Sequence, residues 1–172
     1  PFNSFVASLS AHVQSIVSRS YVAAYELAER SVQLNPANPL GWMTYGIAKC
    51  YLGKANEGFR DTMRARRIAG AAPYRFQIDA QCCVAGVMAG KIQDAIWIAE
   101  VGHALTPMFA PPIRYLSALY MKVDQTEASQ EMVEKMQLLE PDFSYESLAD
   151  PSYPAAGLHR ADLIRYLPGR QI

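Results

Sequence analysis

Residues 39–72 read PLGWMTYGIAKCYLGKANEGFRDTMRARRIAGAA. Trp42, Tyr45 and Gly46, and after them Gly58 and Ala65, fall at intervals that keep apolar or small side chains on one helix face. Gly53 in the middle and Gly70 near the end are breakers, so the stretch divides into two helices joined by a tight turn. The same punctuation runs along the whole chain. Asn35 to Pro39, Gly70 to Pro73, Gly90, Thr106-Pro107, Pro111-Pro112, Asp124, Pro141-Asp142 and residues 151–157 separate segments of about 12–16 residues with helical spacing. Strand-length β-branched alternation is missing, so the expected fold class is all-α.

The breakers are periodic. Pro36, Gly70, Pro107 and Pro141 are separated by 34, 37 and 34 residues, and the turns at Gly53 and Gly90 by 37. A period of about 34 residues is that of the tetratricopeptide repeat (TPR), and here the residues resemble that family. Trp42 matches its aromatic fourth position, Tyr45-Gly46 its seventh and eighth, Gly53 its turn, and Gly58 and Ala65 its small residues. Residues 76–107 supply Cys82-Cys83, Gly90, Ala95, Ala99, Gly102 and Pro107. Residues 110–141 match less closely, with Leu116-Ser117, Asp124 in place of glycine, Ser129, Val133 and Met136. Upstream, Ala24, Ala28, Ser31 and Leu34-Asn35-Pro36 form a second helix whose partner, around residues 5–18, is degenerate.

The resemblance implies a right-handed solenoid of about four antiparallel helix pairs. The array spans residues 1–141, with units at about 5–36, 39–72, 76–107 and 110–141, and residues 142–172 form a capping segment. The expected helices are 5–18, 21–35, 40–52, 55–69, 76–89, 92–105, 111–123 and 126–139, with short cap helices near 144–149 and 159–167. Gly46, Gly58, Ala95 and Ala99 are expected where paired helices cross, since only small side chains let backbones approach. Residues 73–75 are an insertion between units, where stacking is perturbed least.

A narrower resemblance covers the end of the chain. Glu140-Pro141-Asp142-Phe143-Ser144, Tyr153-Pro154 and the run from Ala161 to Leu167 are similar to the closing segment of TPR regions in bacterial class III nucleotide cyclases and winged-helix transcription regulators. That family's usual glycine-rich basic tail is absent. The resemblance implies a C-terminal regulatory region of a bacterial signalling or transcription protein. Pro1 in place of methionine fits a piece of a longer chain.

Composition narrows the function classes. Of 172 residues, 51% are hydrophobic, and 16 basic side chains balance 16 acidic ones, which excludes a disordered chain. No apolar run is long enough to span a bilayer, so no membrane partner is expected. Neutrality lacks the electrostatic footprint of a nucleic-acid binder. The charge is nonetheless segregated: residues 1–75 carry 9 basic and 4 acidic groups, residues 76–150 carry 4 and 11. Three cysteines, Cys50, Cys82 and Cys83, without metal-ligand spacing point to a reducing, cytoplasmic setting.

Chemistry-bearing motifs are scarce. His12, His103 and His159 lie on different segments, and neither a phosphate loop nor a nucleophile elbow occurs, so neither enzyme activity nor a cofactor is expected. Arg60, Arg64 and Arg67, beside Arg66, share a helix face that reads as a solvated convex surface partly paired with Glu57 and Asp61.

The inner face carries the functional expectation. In the TPR family, positions two, five, nine, twelve and thirteen of each first helix line a concave groove. The register places there Val6, Leu9, Val13, Ile16 and Val17; Leu40, Met43, Ile47, Cys50 and Tyr51; Gln77, Ala80, Val84, Val87 and Met88; and Pro111, Arg114, Ala118, Met121 and Lys122. The stripe is apolar and turns basic only at Arg114 and Lys122, which are expected to select a carboxylate on the partner. It lacks the lysines and asparagines with which family members grip a chaperone's acidic tail. The expected function is a non-enzymatic protein-protein interaction or self-association module. Its occupant is a protein or peptide, a second copy, the upstream domain, or the chain's own first helix; the alternatives are a small apolar-ligand sensor and a groove packed against itself.

Overall fold

The computed structural model describes residues 3–170. In chain order it contains α1 (Ser4–Ile16), α2 (Tyr21–Leu34), α3 (Pro39–Tyr51), α4 (Ala55–Ala69), α5 (Arg75–Met88), α6 (Ile92–Leu105), α7 (Ala110–Lys122), α8 (Thr126–Gln137), α9 (Tyr145–Ala149) and α10 (Ala156–Arg160). A 3-10 turn, Leu163–Tyr166, follows, and no strand occurs among the described residues. The fold is all-α.

Local chemistry places the ends. Asn38 accepts the Leu40 N–H at 3.1 Å, and Pro39, which has no N–H to leave unpaired, opens α3. The turns within the second, third and fourth pairs need a left-handed residue, and Gly53, Gly90 and Asp124 supply it at φ of 86°, 69° and 60°. An aspartate tolerates that conformation better than most side chains, which explains the substitution in the last unit.

The helices of a pair run antiparallel and cross on small residues. A Cβ added to Gly46 would lie 2.5 Å from the Gly58 carbonyl oxygen, and one on Gly86 would lie 3.2 Å from Ala95 Cβ. In the fourth pair, Ser129 donates to the Ser117 carbonyl at 2.5 Å. Each odd-numbered helix of the array also touches the next, α1 to α3 to α5 to α7, forming an inner layer with the even helices outside.

Polar staples join successive pairs. Asp79, 1% exposed, accepts from Arg66 at 2.8 Å on α4 and from Arg75 at 2.7 Å on its own helix. Asn38 donates to Ser4 at 2.8 Å, while Ser4 and Ser31 exchange hydrogen bonds with each other's carbonyls, tying α1, α2 and α3 together. The carboxylates expected to pair with the arginine cluster serve Lys49 instead, with Asp61 at 2.7 Å and Glu57 at 3.9 Å. Arg64 lies 3.7 Å above the Trp42 ring.

The cap departs from the expected single helix over 159–167. It breaks at Asp162, whose φ is 56°, into α10 and the 3-10 turn. Leu158 and Leu163 are both buried, yet five residues apart on one helix they would point about 140° away from each other. The break lets both face the core, beside Phe143, Leu148, Ile164 and Leu167.

Ala95 is fully buried at the α5–α6 crossing. Ala95→Leu is expected to cost about 1–3 kcal/mol through overpacking. At roughly 2–4 °C per kcal/mol for a domain of this size, the calorimetric midpoint falls by several degrees. Exposed Lys54→Leu is expected to leave it unmoved; equal shifts would place Ala95 away from a crossing.

Candidate functional site

The inner layer begins with an inverted helix. On α1 the small residues Ala7, Ser8, Ala11 and Ser15 are buried, while Val6, Leu9, Val13, Ile16 and the C-cap Val17 stay exposed, Val17 by 75%. Close packing against α2 and α3 accepts only small side chains on the buried side, so the aliphatic bulk is left outside. Such a contiguous apolar ridge is unusual on a wet surface.

Further along, the chain covers its own inner face. The segment 152–160 turns back over α5 and α7. Gly157 donates its N–H to the Tyr115 hydroxyl at 3.2 Å. A Cβ there would fall 2.6 Å from that oxygen and 3.0 Å from a Val84 methyl, so glycine is what lets the cap lie this close. Tyr153 and Pro154 hold the approach: the Arg114 guanidinium donates to the Tyr153 hydroxyl at 3.0 Å, to the Pro154 carbonyl at 3.3 Å and to Glu140 at 2.9 Å.

This arrangement changes the expected surface. Arg114 does not wait for a partner's carboxylate; it is 7% exposed and neutralised by Glu140, because a buried guanidinium requires an anion at hand. Lys122 lies 3.9 Å over the Tyr166 ring. Met43 and Val87 are buried in the core, at 3% and 1%, and offer no surface, and Cys50 is buried too. Leu40 is half-buried against that core, Met88 packs beside Ile47 and Cys50, and Met121 is half-buried on α7.

Ile47, Tyr51, Ala80, Val84 and Arg114 do come together, as walls of a cleft of about 360 Å³ between the inner layer and the cap. Ser15, Ile16, Arg19 and Tyr21 close it from the α1–α2 side, and residues 152–154 with Ala156 from the other. Tyr21 stacks on Tyr51 with centroids 4.2 Å apart and planes 5° from parallel. Arg19, Tyr21, His159 and Arg160 border an adjoining depression. Burial pushes the Tyr51 phenol up to about 12, with Tyr21 and Cys50 reinforcing it and Arg160 and Arg19 opposing. The sequence reading missed Ser15, Arg19, Tyr21 and the cap residues. The proline and glycine content of 151–157 signalled a turn, but nothing local says where that turn lands.

The remaining chemistry is taken up in packing. All three cysteines are free and buried. Burial pushes the Cys50 and Cys82 thiols up to about 12 and Cys83 upward as well. Burial likewise lowers the pKa of His12, and His159 Nε2 lies 2.9 Å from the Leu148 carbonyl. Among the described residues no cluster of His, Cys, Asp or Glu is arranged to hold a metal, and no helix is long and apolar enough to cross a membrane.

No family model matches the chain, and no curated protein matches it. Solved structures do. A MamA RS-1 double mutant superposes with a TM-score of 0.65 at 16% identity, over 94% of each chain. TTC0263, a thermophilic TPR protein of Thermus thermophilus, gives 0.64 at 14% identity, over 98% of this chain and 93% of that one. MamA AMB-1 gives 0.59 at 21% identity, over 87% and 80%. Identities this low show the fold alone, a helical-repeat array of the TPR type.

Two outcomes are expected. A raised thiol pKa means the fold holds that proton more tightly than the unfolded chain does. The stabilisation is therefore complete below pH 9, the ordinary thiol value, and is lost as pH rises toward 12. At pH 8 the native thiols resist an aromatic disulfide reagent and react together on unfolding; prompt reaction of any one in the native state contradicts this. Gly157→Val is expected to lift the cap, read as faster amide exchange over residues 143–167 while α3 and α4 keep their protection. Unchanged exchange there would mean that the cap does not depend on this contact.

Proposed function

We propose that this chain is a non-enzymatic protein-protein interaction module, the C-terminal regulatory part of a bacterial signalling or transcription protein, that meets its partner through its apolar inner face. The observation carrying this reading is α1, which buries serine and alanine and presents Val6, Leu9, Val13, Ile16 and Val17. The surface continues into the cleft through Ile16, Ile47, Tyr51 and Val84. Covering large aliphatic side chains is worth roughly 1.5–3 kcal/mol each, enough for a few of them to hold a partner. A non-enzymatic role is supported by the commitment of reactive groups to structure, with the thiols buried and Asp79 held between two arginines. The signalling context rests on the similarity of residues 138–167 to closing segments of cyclase and regulator arrays.

A second reading, a small apolar-ligand sensor acting on an upstream cyclase or DNA-binding domain, is favoured by the cleft. Its 360 Å³ falls within the range of about 300–1,000 Å³ for small-molecule sites. Its outer wall is the cap, which a ligand in the cleft would touch directly.

The interaction reading is tested on self-association. Sedimentation equilibrium is expected to show concentration-dependent association of the chain, and Val6→Asp with Val13→Asp to render it monomeric with unchanged far-ultraviolet dichroism. A double variant that still associates removes α1 as the contact, and a chain that stays monomeric removes a second copy as its partner.

A further inference from the structure

We propose that the cleft under the cap binds a small amphiphile with an aliphatic body and a carboxylate head, the body lying along Ile47 and Val84 and the head between Arg19 and Arg160. The inference deepens the ligand-sensing reading, on which it rests, by assigning the ligand's chemistry.

The walls select the body. Ile16, Ile47, Ala80, Val84, Pro111 and Ala156 offer hydrocarbon and no charge. The cations select the head. Arg19 leaves the end of α1 with φ of 50°, and Arg160 ends α10; they come from opposite ends of the chain and border the same depression at the cleft's edge. Arg160 lies 5.8 Å from the Tyr51 ring centroid, and Arg19 lines the cleft together with Tyr51. Among the described residues neither arginine makes an ion pair, and no acidic side chain lines the cleft or the depression. Arg114, on the far wall, is already neutralised by Glu140 and adds no net charge. Two guanidiniums without an ion-pair partner among the described residues, beside an apolar cavity, form a site for one compact anion, which their planar donor sets can hold through paired hydrogen bonds.

Ser15 supplies an independent observation. The residue lines the cleft and is 7% exposed, and its hydroxyl is buried without a hydrogen-bond partner among the described residues. A buried hydroxyl left unpaired is costly, and native structures keep few of them. A ligand oxygen reaching past Arg19 would give it a partner once the hydroxyl turns toward the cleft.

The test uses the full chain, isothermal titration calorimetry at pH 7.5, and three probes below their aggregation limits: octanoate, 1-octanol and octylammonium. Octanoate is expected to bind at one site per chain, at least tenfold tighter than 1-octanol, with octylammonium weaker than either. Arg19→Gln with Arg160→Gln, at exposed positions, is expected to bring octanoate down to the level of 1-octanol and to leave 1-octanol within twofold. Ala156→Leu, which fills the cleft, is expected to weaken both. Equal binding of octanoate and 1-octanol by the native chain, or a preference that survives the double substitution, overturns the head assignment while leaving an apolar-ligand sensor standing. Binding of none of the three overturns the ligand-sensing reading together with it.

Discussion

At Gly46 and Gly58 two helix backbones come so close that a methyl group on either would press into the other's carbonyl oxygen. The third pair also crosses on small residues, Gly86 against Ala95, and the fourth brings the Ser129 hydroxyl onto the Ser117 carbonyl. Close approach brings many weak dispersion contacts within range and leaves no room for variation in side-chain size. It also decides what faces outward. Because α1 reaches its neighbours through alanine and serine, its valines, leucine and isoleucine have nowhere to go but the exposed side. The apolar face proposed for a partner is thus a by-product of the rule that holds the array together.

The cap answers part of that exposure. Leu158, Leu163, Ile164 and Leu167 extend the core past α8, and the backbone break at Asp162 is what allows them all to be buried. In crossing α5 and α7 the cap uses the same device as the array, a glycine at the tightest contact. It also brings the groove's central guanidinium under control, with Glu140, Tyr153 and the Pro154 carbonyl sharing Arg114. What is left is a divided inner face: an open apolar ridge on α1 and a cleft roofed by the cap.

Electrostatics follows the same division. Several charges of the basic first part and the acidic middle of the sequence are taken up in local contacts. Arg66 is drawn into a staple with Asp79, Arg64 covers Trp42, and Lys49 takes up Asp61. Arg19 and Arg160, by contrast, sit beside an apolar hollow with no acid among its lining residues. Position, more than total charge, distinguishes them from the solvated arginines of α4.

The helices, their order and the turns at Gly53, Gly90 and Asp124 were determined by the sequence, because helical periodicity, breakers and left-handed turns act over a few residues. The small residues at crossings were legible for the same reason: a 34-residue period repeats one local geometry, so a pattern seen once can be checked again. The register also placed Ile47, Tyr51, Ala80 and Val84 on the inner face, where they line one cleft. Only the tertiary structure decided that Met43 and Val87 are sealed in the core, that Arg114 is spent on Glu140, and that Arg19 and Arg160 border one depression. Those outcomes depend on how stiff units stack and on where an irregular segment of prolines and glycine returns. Side chains far apart along the chain are brought together by that stacking, and no local spacing encodes it.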